Sequence, residues 1–297
     1  MTLEQLRIFI AVAERGHLTQ AAESLSLTPS AVSAALRSLE HRYDVKLFDR
    51  VGRGIALTES GRLFLTHAQE TIRSATVAEQ VLTDLSGAAR GRIRLRASQT
   101  IASYWLPRPL VRFRQQFPGI EVVLGVGNTQ TVADDVVEGQ ADVGLVEGEV
   151  DQPSLDRQQF GADQLIVVVA PGHRWASARD LRVSDLMQGE WVSREAGSGT
   201  RSVFEAFLEK HGMTPSALDI IMTFPSNEAI LSAVADSDFA AAVSTFAAAP
   251  ALASGSLVRV PIAVAERAFS VLTHRERFRT RAVSALIAEL TGIRPGP

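Results

Sequence analysis

The chain has 297 residues, a net charge of −3, and is 46% hydrophobic and 21% charged. That length allows two or three globular domains, and that balance predicts packed cores throughout. Cysteine is absent and the six histidines show no ligand-type pairing, which excludes disulfide scaffolds, thiolate metal sites and a cysteine nucleophile and points to no metal centre.

Met1 to Arg7 is already charged and helix-periodic, unlike a secretory leader. The longest nearly apolar stretch, Phe239 to Ala253, falls short of the roughly 20 residues a membrane span needs. The expectation is a cytoplasmic protein with no membrane partner. Residues 21–40 read as two short helices joined by a tight turn. Thr28 is placed to cap the second helix, and Pro29 at its first position costs no hydrogen bond. Val32, Leu36 and Leu39 form the buried stripe of that helix. Ser30, Ser33, Ala34 and Arg37 form the opposite face, which is short apart from the arginine, so the backbone can approach a partner closely. A helix-turn-helix lays its second helix in the DNA major groove in this way.

Leu47 to Thr58 then reads as strand, glycine-rich turn and strand. Gly52 and Gly54 are expected to supply positive φ at the tip, flanked by Arg50 and Arg53. A hairpin of this kind suits phosphate or minor-groove contact. From Arg37 to Arg53 five basic residues (Arg37, Arg42, Lys46, Arg50, Arg53) face three acidic ones (Glu40, Asp44, Asp49), a small local excess. The candidate DNA-binding set is Thr28, Pro29, Ser30, Ser33, Ala34, Arg37, Arg50 and Arg53.

Leu6, Phe9, Ala21, Ala22, Leu25, Thr28, Ser33, Leu39, Glu40, Leu47, Phe48, Arg50, Arg53, Leu57, Thr58, Gly61 and Leu63, in one order, resemble the N-terminal domain of LysR-type bacterial transcriptional regulators. The resemblance extends more loosely over the whole chain. Members of that family commonly carry Gln where this chain has Pro29 and Ala35, and neither can read a base edge bidentately as Gln does. The base-reading role therefore falls on Ser30, Ser33 and Arg37.

A helix is expected from Glu59 to near Ser86. Leu65, Ala68, Ile72, Ala75 and Leu82 follow the three- and four-residue steps of a coiled-coil seam, broken only by Glu79. The alternative is a surface helix packed on its own domain. The family resemblance implies pairing of subunits through this helix. Gly87 to Gly91 breaks it.

From Arg92 the pattern alternates. Strands are expected at 92–98, 120–126, 141–146, 165–170, 191–192, 220–221, 239–243 and 268–272. Helices are expected at 101–117, 129–138, 200–211, 227–235 and 280–290. Such repetition predicts a parallel sheet covered by helices. Arg92, Arg94 and Arg96 share one strand face, read as the solvent side of an edge strand or as a second nucleic-acid surface. The resemblance implies two α/β lobes, like a periplasmic binding protein, with crossings near Gly161 and Ala265. The expected organisation is a winged helix-turn-helix over 1–58, a linker helix over 59–88 and an effector domain over 89–297. Lobe I takes about 91–161 and 266–297, and lobe II about 162–265.

Ligands of open α/β sheets bind beyond the carboxyl ends of the strands. Three segments qualify: Ser98-Gln99-Thr100, the Asn128-Thr129 turn, and the loop from Ser193 through Gly197-Ser198-Gly199-Thr200-Arg201. Each offers hydroxyls and free N–H groups at a helix start, which attract anions, though each can also be an ordinary cap. The last run resembles that of LysR-type regulators of carbon-fixation and sulfur-assimilation genes. Their effectors include phosphorylated metabolites, small sulfur oxyanions and acylated amino acids. A small anion is the leading expectation and a larger phosphorylated metabolite the second, with no cofactor.

The competing classes are an enzyme and an exported solute-binding protein. Gly197 to Thr200 matches neither a P-loop nor a nucleophile elbow. The expected partners are promoter DNA, a second and further copies of the chain in a dimer or tetramer, and RNA polymerase.

Overall fold

A computed structural model of the chain describes residues 1–52, 54–85 and 90–292. They fall into two compact units that divide between residues 86 and 87.

In the first unit, α1 (Leu3–Arg15), α2 (Leu18–Ser24) and α3 (Pro29–Tyr43) enclose a core of Leu6, Phe9, Val12, Ala21, Ala22, Val32, Leu36 and Leu39. α3 begins as its sequence dictates. Thr28 Oγ1 accepts from the Ala31 N–H at 3.2 Å and Pro29 holds the first position. At its far end Glu40 turns back, and its Oε1 accepts from the N–H groups of Leu47 at 2.7 Å and Phe48 at 3.2 Å. That carboxylate fixes the hairpin β1 (Phe48–Val51) and β2 (Gly54–Leu57) to the helix. The hairpin is antiparallel, with Val51 opposite Gly54. Gly52 has φ of 59°, whereas Gly54 is not in the left-handed region. A Cβ on Gly54 would meet the Gly16 carbonyl oxygen at 3.0 Å, so close approach rather than positive φ calls for glycine there.

Thr58 caps α4 (Glu59–Leu85), donating to the Lys46 carbonyl and accepting from Gly61 N–H. Ala68 is buried in the three-helix core, and Leu65 and Ile72 pack against it. Much of the expected coiled-coil seam therefore faces the helix's own domain, while Leu63 and Leu82 stand about 70% exposed (69% and 70%).

The second unit is built on a seven-stranded mixed sheet. β3 (Gly91–Ser98) pairs in parallel with β4 (Ile120–Gly127) and β5 (Val143–Glu147). Between β3 and β4 the chain makes a π-type turn at Ile101–Trp105 before α5 (Pro107–Gln116). The expected single helix over 101–117 is divided because Pro107 and Pro109 have no N–H to continue the ladder and Pro107 opens the new helix. α6 (Thr129–Glu138) links β4 to β5 and starts at an Asn128 capping box.

β6 (Leu155–Val169) is a 15-residue strand, far longer than the expected 165–170. Its first half pairs antiparallel with β11 (Glu266–His274). Its second half pairs with β9 (Ala241–Ser244) and β10 (Val258–Arg259). The expected parallel pairing holds for β3 with β4 and β5, but the sheet is mixed: two long antiparallel strands, β6 and β11, carry the chain between the lobes. The remainder of lobe II is β7 (Glu190–Arg194), α7 (Gly199–Lys210), β8 (Asp219–Phe224), α8 (Asn227–Ala235) and α9 (Thr245–Ser254). β7 and β8 are parallel. α10 (Arg281–Thr291) returns to cover the β3–β5 face, where Ile93, Leu95, Val143, Phe269 and Leu286 are buried together. Lobe II has apolar clusters on two faces, one around Trp191 and Phe204, the other around Ile166, Val192 and Ile230.

Among the described residues no helix is long and apolar enough to cross a membrane, and no histidine, aspartate and glutamate cluster could hold a metal ion.

Candidate functional sites

The outer face of α3 carries the DNA-facing candidates. Thr28, Pro29, Ser30, Ala34 and Arg37 are exposed and Ser33 is half-buried. Thr28 Oγ1 and Ser30 Oγ are 3.0 Å apart. Arg50 is exposed on β1. Arg37 and Arg50 form no ion pair among the described residues, so both guanidinium groups are available to phosphate or base edges. Lys46 instead pairs with Asp49 at 2.6 Å, and that contact raises the Lys46 pKa. Arg53 lies outside the described residues. The charges on β3 are spent internally: Arg94 holds Asp142 and the Gly139 carbonyl that ends α6, and Arg96 holds Asp135 at 2.8 Å. That favours a structural role for this strand face over a second nucleic-acid surface.

The sensor candidates gather where β3, β5 and α6 of lobe I meet α7 and α8 of lobe II. A Cβ on Gly199 would stand 2.2 Å from the Glu147 carbonyl oxygen and 2.6 Å from Thr129 Oγ1. Only glycine lets α7 start this close to lobe I. The Gln130 N–H, free at the start of α6, donates to Gly197 O at 3.1 Å. Asn128 Nδ2 donates to the Glu195 carboxylate and to Ala196 O, each at 3.2 Å. Gln99 Nε2 donates to Glu228 at 2.7 Å and Tyr104 donates to the same carboxylate at 2.8 Å. Burial, then the bond to Glu228, push the Tyr104 phenol above its ordinary pKa.

A buried ionic group lies at the centre. Arg267 on β11 is paired with Asp163 on β6 at 2.8 Å and approaches Glu147 Oε1 at 3.4 Å. Arg267 Nη1 donates to Thr200 Oγ1 at 2.8 Å, and Nη2 reaches Thr100 Oγ1 at 3.5 Å. Ser98 Oγ donates to Glu147 Oε2, and Thr129 Oγ1 donates to the Glu147 carbonyl at 2.9 Å. Asn227 Nδ2 donates to Gln99 Oε1 and to Thr100 Oγ1. Ser198 Oγ is buried with no hydrogen-bond partner among the described residues, and Ser198 is the N-cap of α7 without a capping bond.

Nearby, buried Arg194 binds Glu195 at 2.8 Å and Asn227 at 3.4 Å. Burial raises the Glu195 pKa, but the Arg194 bonds and charge, then the backbone and Asn128, outweigh it and hold the carboxyl below its ordinary 4.5.

Of the expected effector residues, Ser98, Gln99, Thr100, Asn128, Thr129, Gly197, Ser198, Gly199 and Thr200 converge on this junction. Arg201 does not, because Glu205 one turn along α7 holds its Nε at 2.7 Å. Ser193 is half-buried and makes no side-chain hydrogen bond among the described residues. The sequence reading missed Glu147, Asp163, Asn227, Glu228 and Arg267. A charged residue closing the otherwise apolar Val143–Glu147 strand was the available signal, because a buried charge must find a partner.

Residues 3–62 match the model of the bacterial regulatory helix-turn-helix protein, lysR family, and residues 86–292 that of the LysR substrate binding domain. A probable RuBisCO transcriptional regulator from Synechocystis sp. is 35% identical over 294 residues, covering 97% of this chain and 85% of the relative. Among solved structures, full-length CbnR complexed with target DNA matches with TM-score 0.69 and 19% identity over 98% of this chain and 99% of that one. The Synechocystis CcmR regulatory domain in complex with 2-PG matches with TM-score 0.63 and 24% identity over 69% of this chain and 97% of that one. Both structural matches speak to the fold alone.

Proposed function

The chain belongs to the LysR family of DNA-binding transcriptional regulators, and from that premise we propose that it binds promoter DNA as an oligomer under the control of a small anionic effector held between its lobes. In this reading residues 1–58 bind DNA, residues 59–88 carry self-association, and residues 89–297 sense the effector. Ser30, Ser33 and Arg37 face bases, with Arg50 and Arg53 on the backbone or minor groove. Leu63 and Leu82, exposed along α4, are surfaces a second copy can cover.

The observation that carries the effector assignment is the buried Ser198 Oγ at the start of α7, which has no hydrogen-bond partner among the described residues. A buried hydroxyl without a partner costs stability, and one at a helix N-terminus suits an anion. CcmR, named above, was solved in complex with 2-PG; for this chain the proposal rests on the Ser198 hydroxyl. Binding would bias the angle between the lobes and so the geometry of the dimer on DNA.

No catalytic constellation is proposed, and the relative named above is likewise a transcriptional regulator. The test is a gel-shift titration of operator DNA with and without added anions at constant ionic strength. A shift that anions alter supports the regulator, and turnover of an added metabolite would contradict it.

A further inference from the structure

Around the Arg267 guanidinium some hydroxyl protons are spent and others are not. Ser98 gives its proton to the Glu147 carboxylate, and Thr129 gives its proton to the Glu147 carbonyl. Thr100 Oγ1 only accepts, from Asn227 Nδ2 at 3.1 Å and Arg267 Nη2 at 3.5 Å. Thr200 Oγ1 only accepts, from Arg267 Nη1 at 2.8 Å. Guanidinium and amide NH₂ groups are pure donors, so both threonine protons remain unspent among the described residues. Ser198 Oγ adds a third.

Glu147 is the opposite case. Its side chain is 2% exposed. Oε2 receives the Ser98 proton, while Oε1 has, among the described residues, only Arg267 Nη1 at 3.4 Å. A carboxylate offers about four lone-pair sites, so this one is short of donors. It also lies directly against the start of α7, since a Cβ on Gly199 would stand 2.9 Å from Glu147 Cγ.

We propose that this junction selects an oxyanion that still carries a proton, of the phosphate type, and rejects one that carries none. Thr100, Ser198 and Thr200 would donate to the anion oxygens, and the ligand's own P–O–H would donate to Glu147. Sulfate has no proton near neutral pH, so its lone pairs would face those of the carboxylate with no proton between them, and the unmade bond would be costly. The inference rests on the cleft-anion reading above and names the chemistry that reading leaves open. The ligand can be free phosphate or a phosphomonoester, because both can present a protonated oxygen.

The experiment is calorimetry on the full chain with inorganic phosphate, methyl phosphate and sulfate near neutral pH. Phosphate should bind the wild type at least about tenfold tighter than sulfate, the loss expected for one hydrogen bond to a charged group. Methyl phosphate binding as tightly as phosphate identifies an ester as the ligand class, and weaker binding identifies the free ion; either result supports the selection rule. Glu147→Gln presents an N–H donor in the same volume and should narrow the phosphate-to-sulfate ratio to within about threefold. If that variant fails to fold, the wild-type ratio alone decides. Equal binding of phosphate and sulfate, lost together in Thr200→Val, would overturn the selection rule and leave the anion site standing. Failure of every anion to bind the wild type would overturn both.

Discussion

Arg267 and Asp163 meet at 2.8 Å with both side chains fully buried. They sit on the two strands that carry the chain between the lobes, so one ion pair ties β6 to β11 where the lobes divide. Removing Asp163 leaves the buried Arg267 guanidinium only its longer contact with Glu147 at 3.4 Å. Asp163→Ala should therefore destabilise the protein by about 3–5 kcal/mol. Adding Arg267→Met should not recover that loss, because it leaves the Glu147 carboxylate buried without its cation. Denaturant unfolding of the three proteins checks this, and equal stability of Asp163→Ala and wild type would rule out a structural role for the pair.

The Glu195 carboxyl is held below its ordinary 4.5 in the folded state. A depressed carboxyl pKa contributes stability that is full above the unfolded value and disappears as pH falls through the folded one. Thermal midpoints of the wild type should therefore fall as pH drops below 4.5, and Glu195→Gln should show a shallower fall. Parallel pH curves for the two proteins would mean that this carboxyl is not linked to folding.

His173 titrates in the same direction for a different reason. Burial, reinforced by Arg174, holds its pKa below 6.5, so the folded state binds this proton less readily than the unfolded chain. Stability is complete above 6.5 and declines below it. His173→Gln should flatten the stability profile just below 6.5, and an unchanged slope there would count against the assignment.

On DNA, Arg37 and Arg50 should behave differently. Arg37→Ala should cost about 1–3 kcal/mol at one base pair and relax specificity there. Arg50→Ala should weaken binding to all sequences alike and reduce the salt slope by about 1. Fluorescence anisotropy on specific and random duplexes separates the two, and equal losses for Arg37→Ala on both would remove it from base reading.

Along α4, exposure separates association from folding. Ile72 packs on the core of its own unit, while Leu82 is exposed. Leu82→Asp should shift the sedimenting species toward monomer with little change in melting, whereas Ile72→Asp should lower the melting temperature. A Leu82→Asp protein that sediments as wild type would exclude this stretch of α4 from the subunit contact.

Local chemistry was legible in the sequence where one short segment contains both partners of an interaction. The Thr28 cap and Pro29 start of α3, the Asn128 start of α6 and the Thr280 start of α10 all involve neighbours within three residues. The long strand β6 was not legible over residues 155–164, because Asp156, Arg157, Gln158 and Gln159 mask any apolar alternation. Likewise α9 was obscured by Pro250 and by its nearly all-round apolar character, which erases a helical period. The ionic centre was hidden for a simpler reason. Arg267 and Asp163 lie 104 residues apart, and no spacing rule reaches across a crossover of that length. Arg201 is the opposite case, because its partner Glu205 lies four residues on along the same helix, within reach of a spacing rule, and takes it out of the site.

The most direct test of the central account is the response of the DNA complex to anion. Operator DNA selected from a random-sequence pool would be titrated with protein, with and without inorganic phosphate at matched ionic strength. The account predicts that phosphate moves the binding midpoint or the migration of the wild-type complex and that the movement is lost in Thr200→Val, which keeps the shape of the site and removes one donor. A wild-type complex that no anion alters, or a Thr200→Val complex that responds as the wild type does, would contradict it.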